Sequence, residues 1–221
     1  MHGLRFIYAG RFALLQKAIL AIIFLLSSSA WSESSDHLSM GMLTATKKLS
    51  DTHTLFFGGG TLVENFKGDI ATIGVVGKVS KAVGWQAAYF HYSPTLTGEE
   101  RHYDHRLRGA LTYRYELGDW RLFHRSRLEY RRGDVLDGFR YRPAFQLSHP
   151  LDIAGIKFRP FVEYEPFYDA RKHSHTLSLY TAGTAFSVFK RLKVTMAYFK
   201  IHNYEDGAHT DGPMVTVNIS L

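Results

Sequence analysis

Polar and apolar residues alternate one by one through several long stretches of this chain. In Asp104 to Glu116, DHRLRGALTYRYE, one set is Asp104, Arg106, Arg108, Ala110, Thr112, Arg114 and Glu116. The other is His105, Leu107, Gly109, Leu111, Tyr113 and Tyr115. RLFHRSRLEYRR, residues 121–132, sets Arg121, Phe123, Arg125, Arg127, Glu129 and Arg131 against Leu122, His124, Ser126, Leu128 and Tyr130. FRYRPAFQLS sets Arg140 and Arg142 against Phe139, Tyr141, Phe145 and Leu147, and KFRPFVEYEPF sets Arg159, Glu163 and Glu165 against Phe158, Val162 and Tyr164. A period of two is that of a strand, whose successive side chains point to opposite sides of the sheet. No helical period competes over windows of this length.

Turn signals separate these stretches at short, regular intervals, among them KGD (67–69), SKAVG (80–84), LGD (117–119), GDVLDG (133–138), DARKHS (169–174) and EDGAHTDG (205–212). They bound eleven candidate strands, most of 9 to 14 residues, with no linker between them. Repeated strands with short turns predict an all-β fold in one domain, a sandwich or a barrel.

Parity leaves two closed solutions. A soluble barrel shelters its apolar set inside, and a membrane barrel turns that set outward to lipid. Three features select the second. The strands are long enough for a tilted crossing of the hydrocarbon layer. Aromatics gather in two bands, Trp85, Tyr115 and Trp120 beside short turns and Tyr103, Tyr130 and Tyr164 towards longer loops, as an interfacial girdle does. The chain also ends on an alternating strand, MVTVNISL. Arginine on the lipid side would cost about 2–4 kcal/mol at mid-membrane, so the arginines belong inside. The expectation is a single antiparallel transmembrane β-barrel. Single-chain bacterial barrels have even strand numbers, so ten to twelve strands are expected and twelve is preferred. Either Leu38 to Lys48 lies outside the wall, or one strand remains uncounted.

Residues 1–32 read as a signal peptide, with Arg5, Arg11 and Lys17 ahead of the apolar run Ala18 to Leu26 and a serine cluster after it. Cleavage falls after Ala30 or Ser32, and residues 33–221 form the barrel. The leader takes 3 of the 27 basic residues and none of the 20 acidic ones, lowering the net charge from +7 to +4. That charge gives no argument for a nucleic-acid partner. The chain has no cysteine, which excludes disulfides and cysteine-ligated zinc.

RSRLEYRR, then FRYRPAFQL, then VEYEPFYD resembles the signature of domain-of-unknown-function family 2490, bacterial outer-membrane barrels. The likeness is carried by Arg125, Arg127, Glu129 and Arg131 on one strand, Arg140 and Arg142 on the next, and Glu165 and Phe167 on the one after. LSLYTAG, residues 177–183, departs from it in having no arginine. The resemblance implies fold and location and no particular activity.

Four groups are candidates for chemistry. The interior ladder is Arg106, Arg108, Arg121, Arg125, Arg127, Glu129, Arg131, Arg140, Arg142, Arg159, Glu163 and Glu165. It is either a structural network filling the lumen or the lining of a narrow pore or pocket for small anions. His124 and Ser126 share the outward face two residues apart, a spacing similar to that of outer-membrane phospholipase A, and serine beside histidine is the logic of acyl hydrolysis. His173 and His175 could offer two ligands to a metal. Gly58, Gly59 and Gly60 inside a strand predict a kink or bulge. The reading is a monomeric barrel in the outer membrane of a Gram-negative bacterium, exported through the general secretory route. Its partners are outer-membrane lipid, lipopolysaccharide and small anionic solutes, and it takes no cofactor. It is a narrow channel, a binding barrel or a structural body. A phospholipase- or omptin-like hydrolase at the outer leaflet is the alternative.

Overall fold

The computed structural model describes residues 36–64, 66–96, 101–133, 137–153 and 155–221, so the signal-peptide reading of residues 1–32 lies outside the described residues. The strands are β1 (Asp36–Lys48), β2 (His53–Glu64), β3 (Phe66–Lys78), β4 (Val83–Leu96), β5 (Asp104–Leu117) and β6 (Trp120–Gly133). They continue with β7 (Gly138–Ser148), β8 (Leu151–Ile153), β9 (Ile156–Asp169), β10 (Ser174–Phe189), β11 (Leu192–Asn203) and β12 (His209–Ser220). The described residues contain no helix.

Apart from β7 and β8, which both pair with β9, each strand pairs antiparallel with its neighbour in the chain, and the sheet closes where β12 meets β1. Among the described residues twelve strands are present, but only eleven positions make up the wall. The three-residue β8 pairs with β9 below β7, so β7 and β8 are two pieces of one wall strand. The break falls at Pro150, which has no N–H to give to the ladder. Leu38 to Lys48 is a wall strand throughout. An odd number forces the first and last strands to run the same way. The seam is therefore parallel, with Met40 opposite Met214 and Thr46 opposite Ser220. A parallel ladder is slightly weaker per residue, and side chains reinforce this one. Asn218 Nδ2 donates to Thr44 Oγ1 at 2.8 Å, Thr44 Oγ1 donates to the Val217 carbonyl at 3.3 Å, and the Leu221 amide donates to Thr46 O at 2.8 Å.

The faces are inverted relative to a soluble barrel. Leu107, Leu111, Leu128, Phe139, Phe145 and Val162 point outward, Leu111 being 63% exposed. Of the alternate set, Arg127, Glu129, Arg131, Arg140, Arg142 and Glu165 are buried in the lumen. Tyr103, Tyr115, Trp120 and Tyr130 are exposed at the two outer rims.

The interior has two unlike walls. Strands β5, β6, β7 and β9 line it with charge. Across from them, towards the longer loops, the wall is hydrocarbon: Leu38, Leu62, Ile70 and Phe199 form a buried cluster against Met40, Met42, Phe90, Tyr92, Leu179, Ile201 and Met214. Alternation did not announce this apolar wall, because β1 carries apolar residues on both faces.

The expected bulge at Gly58–Gly60 is absent. Register runs unbroken from Leu38 opposite Glu64 to Lys48 opposite Thr54. The glycines serve a close approach of two strands instead. A Cβ at Gly58 would stand 2.5 Å from the Leu43 carbonyl oxygen, and one at Gly60 would stand 2.3 Å from that of Gly41.

Candidate functional site

Antiparallel register brings the inward positions of β5, β6, β7 and β9 side by side. Arg106 faces Arg131, Arg108 faces Glu129, Glu129 faces Arg140, and Arg127 faces Arg142. Rows of like charge directly across a ladder are unfavourable unless acids are interleaved. Two glutamates do most of that interleaving.

Glu129 has no solvent-accessible surface. Arg140 donates to its Oε2 twice, from Nη2 at 2.7 Å and Nε at 3.0 Å. Arg142 Nη1 donates to Oε1 at 3.0 Å. Arg108 Nε stands 2.8 Å from Oε1 but lacks hydrogen-bond alignment, so it acts there as a charge. Glu165, 1% exposed, accepts from Arg142 Nη2 at 2.8 Å and Arg125 Nη2 at 3.0 Å. Arg142 thus bridges the two carboxylates. Arg127 is the loosest member, 3.6 Å from Glu129 and 3.9 Å from Glu165.

The network continues in both directions along the barrel axis. Towards the longer loops, Arg106 forks onto Asp104 Oδ2 at 2.6 and 2.9 Å, and Arg131 lies between Asp104 at 3.4 Å and Asp169 at 4.0 Å. Towards the short turns, Glu163 accepts from Gln146 at 3.0 Å and lies 3.8 Å from Arg125. Aromatic faces from β4 and β9 complete the shell. The Arg108 guanidinium lies 3.5 Å from the Phe90 ring centre, and that of Arg142 lies 3.9 Å from Phe167. Both are cation–π distances.

This network has more donors than acceptors. Seven arginines meet five carboxylates. A guanidinium carries five N–H groups and a carboxylate about four acceptor sites. The Nε atoms of Arg108, Arg125, Arg131 and Arg142 find no protein hydrogen-bond partner, and neither does one acceptor, Asp104 Oδ1.

Together with the apolar cluster opposite, these side chains fill the half of the lumen nearer the longer loops. The other half is open. A cavity of about 650 Å³ runs up from the short turns between Thr54, Val76, Gln86, Thr112, Arg114 and Phe123, and Arg125 lies at its inner end. Arg121 and Arg159, which the sequence grouped with the ladder, belong to this open end. Arg121 pairs with Glu116 at 2.5 Å beside the β5–β6 turn, and Arg159 lines a second cleft with Asp152, Lys157 and Lys193.

His124 and Ser126 do face outward together, but they do not bond to each other. His124 Nδ1 donates to the Ala144 carbonyl at 3.0 Å and its ring leans on Phe145, while Ser126 Oγ meets the Tyr141 hydroxyl at 3.0 Å. His173 sits in the β9–β10 turn with φ of 50°, and His175 lies on the outer face of β10. Among the described residues no three of His, Asp or Glu converge as a metal site would require.

Sequence reasoning passed over one constellation on the outer face. Ser178, fully buried, lies 3.2 Å from His175 Nε2. Its hydroxyl donates to Tyr164 and accepts from Tyr204, each at 3.4 Å. That leaves the histidine contact as one the imidazole donates, the reverse of what a general base needs. A β-bulge between His175 and Leu177 brings these residues together, and turn signals do not announce a bulge inside a strand. Asp104, Asp169, Phe90 and Phe167 were also outside the predicted ladder. Phe90 faces Arg106 and Asp169 faces Arg140, so asking which residues oppose those arginines would have found two of the four.

The family model described as "Protein of unknown function (DUF2490)" matches residues 43–211, from within β1 to the start of β12. No curated protein matches the sequence. Among solved structures, LpxR from Salmonella typhimurium is similar with a TM-score of 0.49 and 8% identity, over 76% of this chain and 83% of that one.

Proposed function

The chain belongs to the DUF2490 family of proteins of unknown function, and on that premise we propose that it is a sealed, non-enzymatic β-barrel of the Gram-negative outer membrane, a binding or structural body. The apolar outer belt between two aromatic rims supports residence in a bilayer, since such a surface in water would expose hydrocarbon around the whole wall. The basic leader with its short apolar run supports export. The short turns then face the periplasm and the longer loops face out, where outer-membrane lipid and lipopolysaccharide surround the wall.

One observation carries the choice of a sealed body over a channel. Glu129, which points into the lumen from β6, has no accessible surface, because Arg108 of β5, Arg127 of β6 and Arg140 and Arg142 of β7 close over it. The test is reconstitution of the refolded protein in planar bilayers. The expected record shows no unitary current. Stepwise, anion-selective conductance that Arg125→Ser alters would return the arginines to the role of a pore lining.

A second reading, a hydrolase at the outer leaflet, has the proximity of Ser178 and His175 in its favour, but it requires their hydrogen bond to reverse so that the serine donates. Phospholipid release from the same vesicles decides it. Release by the parent that is lost in His175→Ala supports the enzyme, and no release above empty vesicles removes it. His124→Ala, measured alongside, is expected to behave as the parent.

A further inference from the structure

We propose that the open half of the lumen is a binding site for a small organic oxyanion, a phosphate or carboxylate carrying an apolar group. This rests on the reading of a barrel sealed at its longer-loop half, which makes the cavity a blind vestibule. About 650 Å³ is the size of a small-molecule site. Its lining includes Lys78, Lys81, Arg114 and Arg125 and no acidic residue. Val76 and Phe123 supply apolar surface beside those charges, and Thr54, Gln86 and Thr112 supply neutral hydrogen-bonding groups.

The charge around the mouth has the same sign. Lys190, Arg191 and Lys193 come from the β10–β11 region, and Lys157 and Arg159 from the start of β9. The acids near this mouth are Asp51, Glu116, Asp119 and Asp152, and two of them are already engaged, Asp51 by Lys48 and Glu116 by Arg121. A cleft lined by one sign of charge with low-dielectric walls concentrates ions of the other sign.

At the inner end, Arg125 lines the cavity while giving one nitrogen to Glu165 at 3.0 Å and lying 3.8 Å from Glu163. Arg114 is exposed and stands with its guanidinium 6.0 Å from the Phe123 ring. An oxyanion entering between Arg114 and Arg125 would meet two guanidinium groups that line the cavity, with charge-assisted hydrogen bonds. Its apolar portion would lie along Val76 and Phe123.

The experiment is equilibrium dialysis of the full barrel in lipid nanodiscs against 1-naphthyl phosphate, 1-naphthoate, neutral 1-naphthol and inorganic phosphate, with empty nanodiscs as the blank. The expected result is that at least one naphthyl oxyanion binds about tenfold or more tighter than naphthol. That advantage should shrink with added salt. Comparing the phosphate with the carboxylate identifies the preferred oxyanion. Arg114→Gln and, separately, Lys81→Gln should each weaken binding severalfold. Both side chains are exposed and outside the buried network, so folding is not at stake. Naphthol binding as tightly as both oxyanions, or inorganic phosphate matching them, overturns the proposal. So does binding unchanged in Arg114→Gln and Lys81→Gln. A conducting barrel that still binds the oxyanion breaks only the sealed-body reading, whereas a sealed barrel that ignores it breaks only this one.

Discussion

The two halves of the lumen use the same pair of side chains in opposite surroundings. At the filled half, Arg140 meets Glu129 at 2.7 Å where no water reaches. At the open half, Arg121 meets Glu116 at 2.5 Å with both side chains partly in solvent. The distances are alike, so geometry alone would rank the pairs as equals. Their surroundings separate them. Water screens the second pair, and losing one partner leaves an ion that solvent takes up. In the first, losing one partner strands charge in a medium where nothing else can neutralise it. The filled half is therefore a specified structure with a large penalty for error, while the open half tolerates change and stays accessible to solutes.

The sharpest way to break this comparison is Glu129→Ala. It removes the carboxylate held by Arg140 and Arg142 and approached by Arg108 and Arg127. An expected loss of about 3–5 kcal/mol follows from leaving buried charge unpaired. Urea titration of the barrel in lipid vesicles measures it. Arg127→Met is the informative partner, because Arg127 makes only long contacts in a cluster with surplus positive charge. It should cost much less than the glutamate change, and an equal cost would mean that packing rather than charge balance governs this wall.

Next in size is Leu111→Arg. Leu111 lies midway along β5 on the outer face. Arginine there should destabilise the barrel in a bilayer by about 2–4 kcal/mol. The same change measured as no loss would place that face in water and turn the assignment of the two sides around.

How much of this was legible beforehand follows from what is local. Alternation is a property of adjacent residues, so Arg106 and Arg108 could be set against Leu107 and Leu111 without knowing any partner. Which set faced inward was readable from other local features, strand length and the two aromatic bands. Height along the axis was not. Arg142 meets Glu129 and Glu165 only because three strands hold one register, and turn positions fix that register less tightly than parity fixes the side. Arg121 and Arg159 share parity with the network and yet lie outside it. The apolar inner wall was invisible for another reason: Met40 and Met42 point in while Leu43 points out, and a strand apolar on both faces shows no period. The parallel seam joins residues about as far apart as the chain allows, Thr44 with Asn218, so no short stretch could signal it. His124 and Ser126 were correctly placed on one face, but cross-strand neighbours took their hydrogen bonds.

The seam itself offers a middle-sized test. Thr44→Val removes the acceptor of Asn218 Nδ2 and the donor to the Val217 carbonyl. The expected loss is about 1 kcal/mol, typical of a side-chain hydrogen bond. If closure were antiparallel through a different partner strand, this change would have no effect on urea unfolding, and a cysteine pair at positions 44 and 218 would fail to cross-link.

The smallest effect is expected at the open end, and it is what gives the largest one its meaning. Glu116→Ala breaks an ion pair as short as any in the buried network. Arg121 then keeps its charge in solvent, and the loss should be no more than about 1 kcal/mol. Added salt should shrink it further, because an exposed pair is screened within a Debye length of roughly 10 Å at 0.1 M. Glu129→Ala should show little such dependence, since ions do not enter the filled half. Measuring both variants at low and high salt thus reads the surroundings of each pair directly. A Glu116→Ala loss as large and as salt-insensitive as that of Glu129→Ala would mean that the lower lumen is as closed as the upper, and it would remove the vestibule in which an oxyanion is proposed to sit.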